Sequence, residues 1–214
     1  ILGEFLAVAA LIMCLLFVLV DVGQPTRLLN VWLYPSVKSV LFWDTLVLNG
    51  YLGLNIIIGW KLLEAERNQV EPPLWTKPLI YLSIPFAIGI HTVTAYLYCG
   101  LPGRGYWLTA ILAPRFLASA FAAGPAFLII LCYIIKKFTK FDPGWEAIQT
   151  LSKIVCWAII ANLFFFFCEV FVVFYSNIPG HLAHMQYLLF GYHGYHALVP
   201  WMWTGITLMI LGAV

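Results

Sequence analysis

His91, Asp44, Glu169 and Arg115 each stand inside a long apolar run, and His193 and His196 stand in another. These are the side chains whose types could do chemistry. A charged group at membrane depth costs roughly 2.5–3.5 kcal/mol on insertion scales, so each needs a compensating reason. Carboxylates and imidazoles whose pKa values are displaced by burial can take up or release protons. An arginine among them can balance charge or polarise a carbonyl oxygen.

The elements that must position them follow from composition. Of 214 residues, 63% are hydrophobic and only 9% charged, far below the roughly 25% charged residues of soluble chains. So small a chain cannot bury that surplus inside itself, and lipid must be the solvent. A net charge of +2 without a basic stripe gives no nucleic-acid surface. Six apolar spans, roughly Ile1–Val20, Val40–Trp60, Leu79–Cys99, Tyr106–Ile135, Ile148–Tyr175 and Tyr187–Val214, are long enough to cross a bilayer as helices. They lack the period-two alternation of barrel strands. The expected fold is an all-α polytopic transmembrane bundle, with residues 1–214 forming one membrane domain. Pro85, Pro114, Pro125 and Pro200 fall inside spans, where membrane helices tolerate kinks. Residues 21–39 read as a partly apolar loop, 61–78 as the most polar connection, 100–105 as a tight turn, and 176–186 as a loop carrying His181 and His184. The chain begins with Ile1 inside one apolar run and stops at Val214 inside another, so it reads as incomplete, with helices missing at one or both ends. Cys14, Cys99, Cys132, Cys156 and Cys168 form no CxxC pair and read as small apolar packing residues.

Lysine and arginine distribution sets the orientation. The second and fourth connections, with their flanks, carry Lys61, Arg67, Lys77, Lys136, Lys137, Lys140 and Lys153, against Arg27, Lys38 and Arg104 in the odd ones. The even connections are therefore expected to face the cytoplasm. At 1.5 Å per residue, His91 then lies about 12 Å from the outer end of its span, Arg115 about 14 Å and Glu169 about 9 Å. Asp44 is one turn into the second span, and Asp21 closes the first. His193 and His196 are expected two to three turns into the sixth span, on one helix face. The outer half thus collects the ionisable groups. Glu4, Asn55 and Asn162 are the other polar side chains of note. Structural alternatives stand beside this reading: His91 as a helix–helix hydrogen-bonding residue, Asp44 and Arg115 as an ion pair, Glu169 reaching for the interface, His181 and His184 solvated. A cluster of carboxylate, imidazole, arginine and aromatic groups at this depth suits a quinone. Its headgroup needs a donor to each carbonyl and a base for the quinol protons. Aromatic side chains such as Tyr96 can hold the ring and its isoprenoid tail. The same groups also suit a proton relay.

The runs DVGQPTRLLN, LFWDTLVLNGYLGLN, IHTVTAYLYCGLPGRGYW and ILAPRFLASAFAAGPA resemble the NrfD/PsrC family of quinone-interacting membrane subunits. CEVFVVFYSN and YLLFGYHGYHALVPWMWT resemble its DsrP/HmcC branch, found in sulfur and sulfate metabolism. The resemblance covers nearly the whole chain. It implies a subunit of an oxidoreductase in the cytoplasmic membrane, with menaquinone or another quinone bound near the periplasmic face. It also implies an extracytoplasmic, ferredoxin-like iron–sulfur partner among other redox subunits, and no haem or cluster in this chain. On it, His91 serves the quinone carbonyl or quinol proton, Asp44 and Glu169 accept protons or orient His91, and Arg115 balances their charge. His193 and His196 stand with His91, Asp44, Arg115 and Tyr96 as cofactor-binding candidates, their individual roles left open because GYHGYH departs from the branch pattern.

Two other readings remain. His91 with His193 or His196 could ligate one b-type haem, or the chain could be a proton-conducting or structural anchor without quinone turnover. A solute transporter is disfavoured, since no paired interrupted segments are visible.

Overall fold

The computed structural model describes residues 2–213, so the span limits placed at Ile1 and Val214 lie outside the described residues. The helices are α1 (Leu2–Asp21), α2 (Asn30–Leu33), α3 (Val40–Arg67), α4 (Thr76–Cys99), α5 (Leu112–Phe138), α6 (Trp145–Ser176), α7 (Pro179–Leu189) and α8 (Val199–Ala213). The fold is all-α. Among the described residues, α1, α3, α4, α5 and α6 are long and apolar enough to cross a membrane, and α8 is a shorter apolar helix. Side chains such as Phe17, Trp157 and Leu211 point outward, as expected where lipid replaces water. Pro85 and Pro125 lie within α4 and α5.

The chain forms two compact units, Ile1–Leu97 and Tyr98–Val214. In the first, α1 runs antiparallel to α3, with Glu4 beside Gly59. The N-terminal part of α4 returns along α3 so closely that a Cβ on Gly50 would stand 2.5 Å from the Phe86 ring. Glycine at position 50 is what lets that ring seat against the α3 backbone. In the second unit, α5 packs along α6. α8 returns along the middle of α6, where Asn162 Nδ2 lies 3.5 Å from Met209 Sδ. Phe166, Met185, Leu189 and Ile206 form the buried core there.

Four expectations are corrected. The polar connection 61–78 shrinks to residues 68–75, because α3 continues to Arg67 and α4 starts at Thr76. Lys61 pairs with Glu64 one turn on, at 2.6 Å, so the helix carries its polar residues beyond the apolar run. The fourth helix starts at Leu112, and Tyr106 lies instead in a 3₁₀ turn, Gly105–Trp107. Pro114 is thus in the first turn of α5, where its missing N–H breaks no helical bond, and a helical depth for Arg115 counted from Tyr106 does not hold. Residues 176–186 are largely helical: Asn177 ends α6 in a left-handed conformation and Pro179 starts α7.

The fourth correction concerns the sixth span, which breaks between Leu189 and Val199. Gly191, His193 and Gly194 all have positive φ, at 86°, 48° and 83°. Tyr192 and Tyr195 exchange backbone hydrogen bonds of 3.1 and 3.0 Å around His193–Gly194. Two consecutive positive-φ residues closing such a pair make a tight hairpin turn, not a helix. A Cβ on Gly191 would lie 2.0 Å from His196 Nδ1. Pro200 then falls in the first turn of α8.

Candidate functional site

In the first unit the α3–α4 contact positions Asp44. The Thr94 hydroxyl donates to Asp44 Oδ1 at 2.6 Å. Asp44 also lines a cavity of about 360 Å³ between α1, the 22–32 segment and α3. Leu15, Val18, Trp32 and Leu48 form much of its apolar wall, and Gln24, Arg27 and Asn49 add polar groups. Its size and mostly apolar lining with a few polar groups are those of a small-molecule site. His91 lies three residues before Thr94 and shares its face of α4; it is half-buried. Tyr96 is two residues beyond Thr94, about 200° around the helix, and 54% exposed. It therefore points away from the Asp44 side.

In the second unit Arg115 Nη1 donates to Glu169 Oε2 and forms an ion pair with it. Glu169 is 4% exposed. The guanidinium carbon of Arg115 also lies 5.2 Å from the Phe166 ring centroid, a favourable cation–π arrangement. Arg115 is therefore Glu169's partner, while Asp44 is held by Thr94. Glu169 also lines a cavity of about 230 Å³, with Tyr106, Thr109, Ser176 and His181 among the other walls. Burial raises the Tyr106 hydroxyl above the usual phenol range.

The remaining candidates are placed differently from the expectation. His193 and His196 sit in the hairpin break and do not share a helix face. His196 Nδ1 is 3.1 Å from the Phe190 carbonyl oxygen, and the His193 ring stands edge-on to Tyr192. His181 and His184 are on α7, with His184 Nδ1 2.6 Å from the Gly180 carbonyl oxygen. Asn55 is buried and donates to the Tyr51 carbonyl at 2.8 Å. Among the described residues no group of three metal-ligating side chains forms. The reading from sequence missed Thr94, Gln24, Arg27, Asn49 and Tyr106. Spacing offered a signal for Thr94, which falls on the His91 face; nothing local marks Gln24 or Arg27, which belong to an irregular segment.

Fold and polar placement together define a multi-pass membrane protein that holds carboxylates and a histidine inside apolar helices. The chain belongs to the polysulphide reductase NrfD family, whose model matches residues 1–214. A Halobacterium salinarum protein, named as a candidate membrane subunit of a dimethyl sulfoxide reductase, is 24% identical over 96% of this chain and 50% of its own length. A selenate reductase subunit of Mesobacillus selenatarsenatis is 24% identical over 89% of this chain and 52% of its own. The Hdr-like menaquinol oxidoreductase integral membrane subunit of Archaeoglobus fulgidus is 22% identical over 71% of this chain and 37% of its own. The chain spans about half the length of the first two relatives.

Proposed function

We propose that this chain belongs to a membrane subunit of a respiratory electron-transfer complex. It would exchange electrons between the menaquinone pool and an extracytoplasmic iron–sulfur subunit, in sulfur metabolism and on the DsrP/HmcC branch. Family membership supports the class, and the name of the Archaeoglobus relative supports menaquinol as the substrate. The observation that carries the reading is the cavity beside Asp44: apolar, of ligand size, with one carboxylate on its wall.

Bound quinone supplies two-electron, two-proton redox chemistry, and the protein's part is to bind the ring and manage the protons. Thr94 holds Asp44 Oδ1, which leaves Oδ2 to take a proton from the quinol. Gln24, Asn49 and Arg27 can donate to carbonyl oxygens, and the apolar walls exclude water from the ring. His91, one turn from Thr94, passes the proton onward. The Arg115–Glu169 pair belongs to the second unit, where the arginine balances a carboxylate that can accept a proton. Seven cations against three in the connections support a cytoplasmic-membrane orientation with Asp44 toward the outer face.

The test is Asp44→Asn in the assembled complex. Removal of a general base lowers turnover by about 10²–10⁴-fold, so menaquinol-analogue oxidation should fall at least about a hundredfold. Complex assembly and iron–sulfur content should stay as in wild type. Turnover within twofold of wild type in an intact complex contradicts the assignment.

A further inference from the structure

A broad groove of the second unit lies between α5 and α6, and neither Asp44 nor Glu169 lines it. It encloses about 680 Å³ and is almost wholly apolar. Ala118, Ala158 and Ala161 supply small side chains along it, with Phe121, Trp157 and Phe165 as its bulky walls. Lys153 is the charged group on its wall. Along α6 the groove runs from Thr150 to Phe165, a length of about 22 Å at the helical rise. That is the thickness of one leaflet with its headgroup layer, half of the roughly 40–45 Å of a whole bilayer.

Charge singles out one occupant. Lys153 is exposed and stands two turns from the start of α6. The last turn of α5 adds Lys136 and Lys137, the α5–α6 connection Lys140 and Asp142, and the first turn of α6 Glu146. Lys136 is engaged with Asp142 at 3.0 Å. A packed protein helix over the groove would bury the lysine against apolar atoms, which costs free energy unless an anion comes with it. An isoprenoid chain would fill the apolar length but offer Lys153 nothing. A phospholipid with an anionic headgroup satisfies both ends: phosphate at the lysine, acyl chain over the alanines.

We propose that the α5–α6 groove is a binding site for an anionic phospholipid, with Lys153 at its phosphate and one acyl chain running from Trp157 toward Phe165. Basic residues beside grooves at the cytoplasmic side of transmembrane helices bind such headgroups, and the orientation given by the lysine-rich connections puts Lys153 on that side.

The experiment is native mass spectrometry of the detergent-purified full protein, equilibrated with an equimolar mixture of phosphatidylglycerol and phosphatidylcholine of identical acyl chains. Wild type should retain phosphatidylglycerol preferentially. Lys153→Gln, an exposed and structurally mild change, should lower the phosphatidylglycerol-to-phosphatidylcholine ratio about fivefold, the share one lysine contributes at a membrane surface. Ala161→Trp should fill the groove and reduce retention of both lipids while the protein keeps its elution volume. An unchanged ratio in Lys153→Gln overturns the proposal. So does wild-type lipid retention by Ala161→Trp, or a co-purifying quinone that Ala161→Trp displaces instead of phospholipid.

Discussion

Replacing Arg115 by Met tests whether the Arg115–Glu169 pair holds the second unit together. Glu169 is 4% exposed, and its carboxylate meets the guanidinium that also covers Phe166. With the arginine gone, the carboxylate must either stay ionised in an apolar core or take up a proton. Breaking a buried pair from one side costs about 3–5 kcal/mol. The Arg115 side chain keeps 21% of its surface, so the lower limit, about 3 kcal/mol, is the expected loss. Glu169→Leu alone leaves the cation unpaired and should cost a similar amount. The double variant removes both charges and restores apolar contact with Phe166 and Met185; it should lie within about 1 kcal/mol of wild type, because desolvation of the pair offsets much of its attraction. Equilibrium unfolding in mixed micelles, run as a double-mutant cycle, reads the coupling directly. If the two single losses simply add in the double variant, the pair is not a coupled unit and the reasoning fails.

Gly191→Ala forces a left-handed backbone on a residue with a Cβ, which alone costs about 1–2 kcal/mol, and places a methyl group against His196; its loss in the same assay should exceed that backbone cost. Gly194→Ala has open space around it, so it should show the backbone strain alone and cost less. Trp203 Nε1 donates to the Leu189 carbonyl at 2.9 Å and ties α8 to the end of α7, so Trp203→Phe should lose about 1 kcal/mol. The Lys136 ammonium, and after it the Gly144 N–H, hold the Asp142 carboxyl below its usual range. The connection's stabilisation is therefore full at neutral pH and is lost as pH falls through that depressed pKa; Lys136→Gln should move the Asp142 NMR titration midpoint upward.

The transmembrane helices were legible because hydrophobic runs of this length admit no other structure in lipid. α1, α3, α4 and α6 start or end within a few residues of where the apolar runs do, except where a polar stretch such as Lys61–Arg67 stays helical. The break at GYHGYH was not legible as a break. Six residues of low hydropathy interrupt the apolar run there, but histidines three apart fit one helix face as well as a turn; the positive φ values of Gly191, His193 and Gly194 and the paired Tyr192–Tyr195 backbone bonds reveal the hairpin. For the site, residue type alone picked out Asp44, Arg115 and Glu169 as costly groups that need partners. It could not choose the partners, because Arg115 balances either carboxylate equally well on paper. The choice is made by packing: α5 lies along α6 and delivers Arg115 to Glu169, while α4 delivers Thr94 to Asp44. Gln24 and Arg27 escaped notice because an irregular segment has no periodicity from which to read a direction.

Quinone binding in the cavity beside Asp44 is the claim most open to direct measurement. Photolabelling with an azido-menaquinone analogue, followed by peptide mapping, reports which residues line the bound ring. Label is expected on the cavity-lining residues between 15 and 49, suppressed by excess unlabelled menaquinone analogue and reduced in Asp44→Asn. Label that maps elsewhere in the chain, or that excess analogue does not displace, contradicts a quinone site at Asp44.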